Sequence, residues 1–223
     1  MLVKLAALHL SAEGSPRAPT ENFVAAVFYD LLNRAPDSGG LAYWTSQLGG
    51  GAPRGEVAQQ LTHSDEYFAT IIDPAYQQFL GREPDASGLQ FWTAQMRTGL
   101  TDERLEAGFI GSREFFDHSG GTNKSWVDAM YQALLGRAAD AQGEAYWVAQ
   151  VDQGANRSDV AYGFAASLER EGQRVSNDYL TYLGRLPDAT GLGFWVSQFA
   201  GGLTNEDLIA GFVASNEYFD ENT

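Results

Sequence analysis

The sequence predicts an all-α protein of four helical repeats of about 48 residues, arranged as two similar lobes. The first observation behind this is a motif in which Arg is followed by Asp, Gly and Trp at fixed spacing. It occurs as Arg34/Asp37/Gly40/Trp44, Arg82/Asp85/Gly88/Trp92, Arg137/Asp140/Gly143/Trp147 and Arg185/Asp188/Gly191/Trp195. The second is that apolar residues at helical spacing precede and follow every copy. The third is the interval between the arginines, 48, 55 and 48 residues, so the copies pair and the pair itself repeats at 103.

Residues 1–20 read as a flexible leader. Met1 to Leu10 resembles the start of a signal peptide, but the apolar core is short and His9 interrupts it. Each repeat then opens on a helix, here called A. Its apolar positions are Phe23, Val24, Val27, Phe28, Leu31 and Leu32 in the first copy, and Trp126, Val127, Met130, Tyr131, Leu134 and Leu135 in the third. The second copy keeps Tyr76, Phe79 and Leu80, with Asp73 and Pro74 expected as N-cap and first helical residue. The fourth keeps Tyr179, Leu180, Tyr182 and Leu183.

Helix B starts at the motif aspartate, an N-cap that accepts backbone N–H groups of the next turn. Its stripe is Leu41/Trp44/Leu48, Leu89/Trp92/Met96, Tyr146/Trp147/Val151 and Leu192/Trp195/Phe199, and glycines end it. Helix C begins at the capping residues Thr101, Asn156 and Thr204 and carries Val57/Leu61, Leu105/Phe109, Val160/Phe164 and Leu208/Phe212. A Ser-x-Glu signature closes each copy: Ser64/Glu66, Ser112/Glu114, Ser167/Glu169 and Ser215/Glu217. Aromatic pairs follow it in three copies, whereas the third has Arg170-Glu171 and is expected to be more exposed there. The longer middle interval places a linker at 119–125 between lobes at 21–118 and 126–220.

The pattern Leu-Leu-Gly-Arg-x-x-Asp-x-x-Gly-x-x-Tyr-Trp, followed by Ser-x-Glu-[Tyr/Phe]-Phe, resembles the bacterial family of domain of unknown function 4214. The resemblance covers about residues 22–220. It implies a secreted or cell-surface setting, with similarity to surface-layer (S-layer) anchors that grip polysaccharide. The first half of the motif is also similar to phycobilisome linker domains, which connect proteins.

A formal charge of −15, from 14 Lys+Arg against 29 Asp+Glu, disfavours nucleic acid and anionic lipid and favours cations. There is no Cys, hence no disulfide framework or thiolate site. No apolar run is long enough for membrane insertion. His9, His63 and His118 are isolated, and polar residues recurring four times argue against a single catalytic centre.

Trp44, Trp92, Trp147 and Trp195 fit a helix core better than a sugar-stacking array, because they keep the repeat's spacing. Arg34, Arg82, Arg137 and Arg185 suit structural bolts to the Asp or to Glu66, Glu114, Glu169 and Glu217. Asp37, Asp85, Asp140 and Asp188 are candidate calcium ligands, though their turns lack the dense oxygen donors that calcium loops use. Features that break the repeat are the ligand-binding candidates: Asp117, His118, Asn123, Lys124, Arg170 and Arg174.

The expectation is a non-enzymatic adhesion module that binds cell-surface polysaccharide, assisted by calcium. The alternatives are a protein–protein linker or assembly module, with another surface protein as partner, and an accessory domain of a secreted enzyme.

Overall fold

The computed structural model describes residues 18–223. All regular structure among them is helical. The helices are α1 (Pro19–Leu32), α2 (Ser38–Gly49), α3 (Arg54–Thr62), α4 (Asp65–Ala75, continuing as a π-helical stretch Tyr76–Leu80), α5 (Ala86–Arg97), α6 (Asp102–Ile110) and α7 (Arg113–His118). The second half supplies α8 (Asn123–Leu135), α9 (Ala141–Asp152), α10 (Arg157–Ala165), α11 (Leu168–Leu183), α12 (Ala189–Ala200), α13 (Asn205–Ala214) and α14 (Asn216–Glu221).

The helix boundaries follow from the motif. Helix A of each copy ends on a left-handed residue just before the motif arginine. Asn33 takes this conformation in the first copy, and Gly81, Gly136 and Gly184 take it in the others. Asn and Gly are the residues that tolerate it. Three residues after the arginine, Asp37, Asp85, Asp140 and Asp188 cap helix B, each accepting the N–H of the motif glycine at 2.7–2.8 Å. The serine of Ser-x-Glu caps the helix that closes the copy, with Ser112 and Ser215 each accepting at 3.1 Å.

Three boundaries differ from the expected ones. Asp73 does not start a helix; it lies with Pro74 inside α4, which runs unbroken into the second copy's helix A. Proline cannot donate to the carbonyl one turn back, and the helix widens into its π stretch directly afterwards. The linker is shorter than 119–125, because Thr122 and Ser125 form a reciprocal capping box and Asn123 is already helical. The expected leader falls outside the described residues up to position 17, and α1 begins at Pro19 rather than after 20.

Contacts sort the chain into two compact units that cross the order of the sequence. One takes in residues 18–70 with Asn177–Pro187 and Leu203–Thr223. The other takes Ile71–Ser176 with Asp188–Gly202. In the first, α3 packs on α13, so helix C of copy one meets helix C of copy four. Its interior holds Phe23, Val24, Val27, Val57, Leu208, Val213 and Tyr218, all fully buried. In the second, α6 packs on α10, joining copies two and three around Leu105, Ile110, Trp126, Met130 and Leu134. The boundary at 119–125 therefore separates the halves of the sequence, whereas contact joins a repeat from each half in each unit.

Candidate functional site

The motif arginines and the Ser-x-Glu carboxylates form the same two-toothed ion pair in every copy, 32 residues apart. Arg82 donates Nε and Nη2 to the two oxygens of Glu114 at 2.6 and 2.9 Å. Arg137 does so to Glu169 at 2.7 and 2.9 Å. Arg34–Glu66 and Arg185–Glu217 repeat the arrangement. The guanidinium hydrogen bond holds each of these four glutamates below the usual carboxylate range. Each arginine also lies over the helix A aromatic of its own copy, Phe28, Tyr76, Tyr131 or Tyr179, at 4.9–5.4 Å. The pair thus ties helix A to the closing helix, and the aspartate remains a cap.

Helix B lies mostly at the surface. Trp44 is buried, whereas Trp92, Trp147 and Trp195 are half-buried. The residue just before each tryptophan faces solvent: Tyr43, Phe91, Tyr146 and Phe194 are 52–55% exposed. Their rings meet the tryptophans edge to face at 4.9–5.0 Å. An exposed aromatic at the equivalent position of each copy is a feature that helix geometry predicts. Successive side chains diverge by about 100°, so if Trp points inward its neighbour cannot. The Tyr/Phe-Trp dipeptide in all four copies carried that signal, and a reading centred on the tryptophans overlooks it.

At the third copy Trp147 borders a cleft of about 330 Å³ lined also by Tyr131, Leu135, Arg137, Gly163, Phe164, Ser167 and Glu169. The second copy has the same residue types but fills the space. There Trp92 stacks on Phe109 at 5.1 Å and 29°, so close to Gly108 that a Cβ would collide with its ring. In the third copy Trp147 is tilted 65° to Phe164, and a Cβ on Gly163 would meet nothing within 4 Å. The cleft combines an aromatic wall, a glycine floor and a rim of hydroxyl, guanidinium and carboxylate groups. That composition suits a ligand with apolar faces and hydroxyl edges.

Five of the six residues expected as ligand contacts are engaged within the protein. Asp117 pairs with Arg113 at 2.8 Å, and His118 is exposed at the end of α7. Asn123 donates to Asp152 at 2.6 Å and accepts from Arg157 at 2.9 Å. Lys124 binds Asp128 at 2.9 Å and Glu144 at 2.6 Å.

Arg170 and Arg174 correct the expectation of an exposed junction. Arg174 is 7% exposed and Glu171 4%. Arg174 contacts Glu171 at 2.7 Å, Glu103 at 2.9 Å and Glu106 at 3.1 Å, and Arg170 also pairs with Glu106. Burial opposes the Arg174 charge, but Glu106, Asp102, Glu103 and Glu171 outweigh it and raise its pKa. Burial pushes the Glu171 carboxyl up to about 7, against the pull of Arg174. The polar pair is buried because each charge meets an opposite one, which sequence periodicity does not reveal.

The four cap aspartates stand at separate turns. Among the described residues no three His, Asp or Glu side chains gather as a metal site. No helix among them is long and apolar enough to cross a membrane.

No curated protein and no solved structure matches the chain. The family model described as "Domain of unknown function (DUF4214)" matches residues 7–71, 69–119, 106–174 and 170–222. With four matches that take in nearly the whole sequence, in register with the four Arg–Glu pairs, the chain belongs to the DUF4214 family.

Proposed function

We propose that this protein is a non-enzymatic binding module of a bacterial secreted or cell-surface protein, and that it takes cell-surface polysaccharide. The supporting observation is the cleft of the third copy, with Trp147 as its wall, the Arg137–Glu169 pair at its rim and the exposed Tyr146 ring against Trp147. Sugar rings present C–H faces to aromatic rings and hydroxyl edges to planar polar groups. The exposed aromatics of the other copies, Tyr43, Phe91 and Phe194, offer further stacking positions along a long chain. Weak contacts multiplied in this way hold a polymer that a single contact would release.

Calcium assistance belongs to the reading through the net charge of −15 rather than through any one turn. The same exposed rings also favour a second reading, an assembly surface for another surface protein.

The test is binding to purified surface polysaccharide of the source bacterium, with calcium and with chelator, for the parent protein, Tyr146→Ala and Trp147→Ala. Saturable binding that falls at least about tenfold in both variants is expected. Equal binding with chelator discards the metal. No binding by the parent protein in either buffer sinks the polysaccharide reading and favours the assembly surface.

A further inference from the structure

The two helix C joints are made by the same positions. Residues 54, 55 and 59 of copy one have their equivalents 103 positions on, at 157, 158 and 162. Residues 207, 214 and 219 of copy four have theirs 103 positions back, at 104, 111 and 116. In one unit Arg54 lies 4.5 Å over Phe219; in the other, Arg157 lies 3.8 Å over Phe116. Gln59 donates to Asp207 at 3.1 Å where Arg104 lies 4.0 Å over Tyr162. A Cβ on Gly55 would sit 3.9 Å from that of Ala214, and one on Gly111 only 2.7 Å from the Cα of Ser158.

Each half of the chain therefore carries both faces of the joint. The faces also match within the first half. Arg54 fits a Phe116, Gly55 a Gly111 and Gln59 an Arg104 from a second first half. Arg113, at the position of Asn216, would meet Arg54 but is already paired with Asp117. The second half does not match itself in this way: Arg157 could meet Phe219, but Ala214 would bring a Cβ against Ser158, where one on Gly111 would lie only 2.7 Å from the Cα.

One feature is not interchangeable. Arg170, Glu171 and Arg174 of the second half occupy the positions of Tyr67, Phe68 and Ile71 in the first. They meet Glu103 and Glu106, whose counterparts in copy four are Glu206 and Ile209. Two first halves paired together would bury Glu103 and Glu106 against Tyr67 and Phe68, without a cation. Buried carboxylates stripped of their arginines are strongly unfavourable. We infer that the protein is a fused exchanged dimer whose first half bears two faces able to dock on each other, and that the buried Arg170/Arg174–Glu103/Glu106/Glu171 cluster holds it to the crosswise pairing.

The test starts from the whole protein. A protease site inserted between Gly120 and Gly121 is cut in the folded chain. The sample is then unfolded in urea, refolded by dilution and weighed by native mass spectrometry, with uncut chain refolded alongside. The parent should return crosswise pairs, with paired first halves at least about 100-fold rarer. The variant Glu106→Ile, Arg170→Tyr, Glu171→Phe, Arg174→Ile gives the second joint the residues of the first. From it, pairs of first halves should appear beside the crosswise ones. Free halves, abundant like pairs from the parent, or crosswise pairs alone from the variant would each overturn the inference. Aggregation of the cut parent where the uncut chain refolds would also count against it, since matched faces need no covalent link.

Discussion

The guanidinium of Arg54 lies 4.5 Å from the centre of the Phe219 ring, so the first repeat and the last share one joint. Beside them the Cβ positions of residues 55 and 214 are 3.9 Å apart, inside the range that a disulfide spans. The chain has no Cys of its own. Gly55→Cys with Ala214→Cys should therefore oxidise to a single intramolecular disulfide, seen as faster migration on a non-reducing gel. By closing most of the chain into a loop it should add about 4 kcal/mol to stability against urea. Failure to form under oxidising conditions would show that copies one and four do not meet this way.

Arg174 is the cation at the centre of the buried charged cluster. Removing it leaves Glu171, Glu103 and Glu106 facing one another with Arg170 as their remaining arginine in the cluster. Arg174→Ala should cost about 3–5 kcal/mol in a urea titration. A loss below about 1 kcal/mol would mean that water reaches the carboxylates.

Glu171 makes the same cluster sensitive to pH. Its folded pKa, raised to about 7, stands above the model-peptide value of 4.5. Between those values the folded state holds a proton that the unfolded chain releases. The stability from this group is complete below pH 4.5 and declines as pH rises through 7. The four Arg-paired glutamates act in the opposite sense, their contribution being lost as pH falls below the ordinary carboxylate range. Unfolding midpoints from pH 5 to 8 should therefore decline in the parent and flatten in Glu171→Gln. Parallel curves would remove Glu171 as the cause.

Trp126 is fully buried and donates its indole N–H to the Ile110 carbonyl at 2.8 Å. Trp126→Ala should destabilise the protein by about 3–5 kcal/mol, through the cavity and the orphaned carbonyl. Trp126→Phe should cost less, because Phe23 occupies the equivalent place in the other unit. Differential scanning calorimetry would rank the three proteins, and an equal loss for both variants would rule out cavity size as the main term.

Tyr146 is 54% exposed and meets Trp147 edge to face at 4.9 Å. Tyr146→Ala should leave the thermal midpoint within about 1 °C of the parent while weakening polysaccharide binding. A lowered midpoint would make the ring structural.

Much of this was legible in the residues. Asp37, Asp85, Asp140 and Asp188 announce the caps because a carboxylate three residues before a glycine N–H has a local task. The arginine bolts were legible too, as a two-toothed cation repeated beside repeated carboxylates, although the sequence left Asp or Glu as the partner and the structure chose Glu. What escaped were facts that depend on distant partners. Arg170 and Glu171 look like surface residues until Glu103 and Glu106 are brought against them. Asp73-Pro74 looks like a helix start, yet α4 is held straight through it. The pairing of copy one with copy four leaves no trace in the spacing, because the interval of 103 residues fits either arrangement.

The joint of α3 with α13 also has a mechanical consequence. Tension entering at Pro19 and leaving at Glu221 would meet this joint first, because both ends of the path belong to one unit. Rupture of the joint would lengthen a chain pulled at these two points in a single step before any covalent connection is strained.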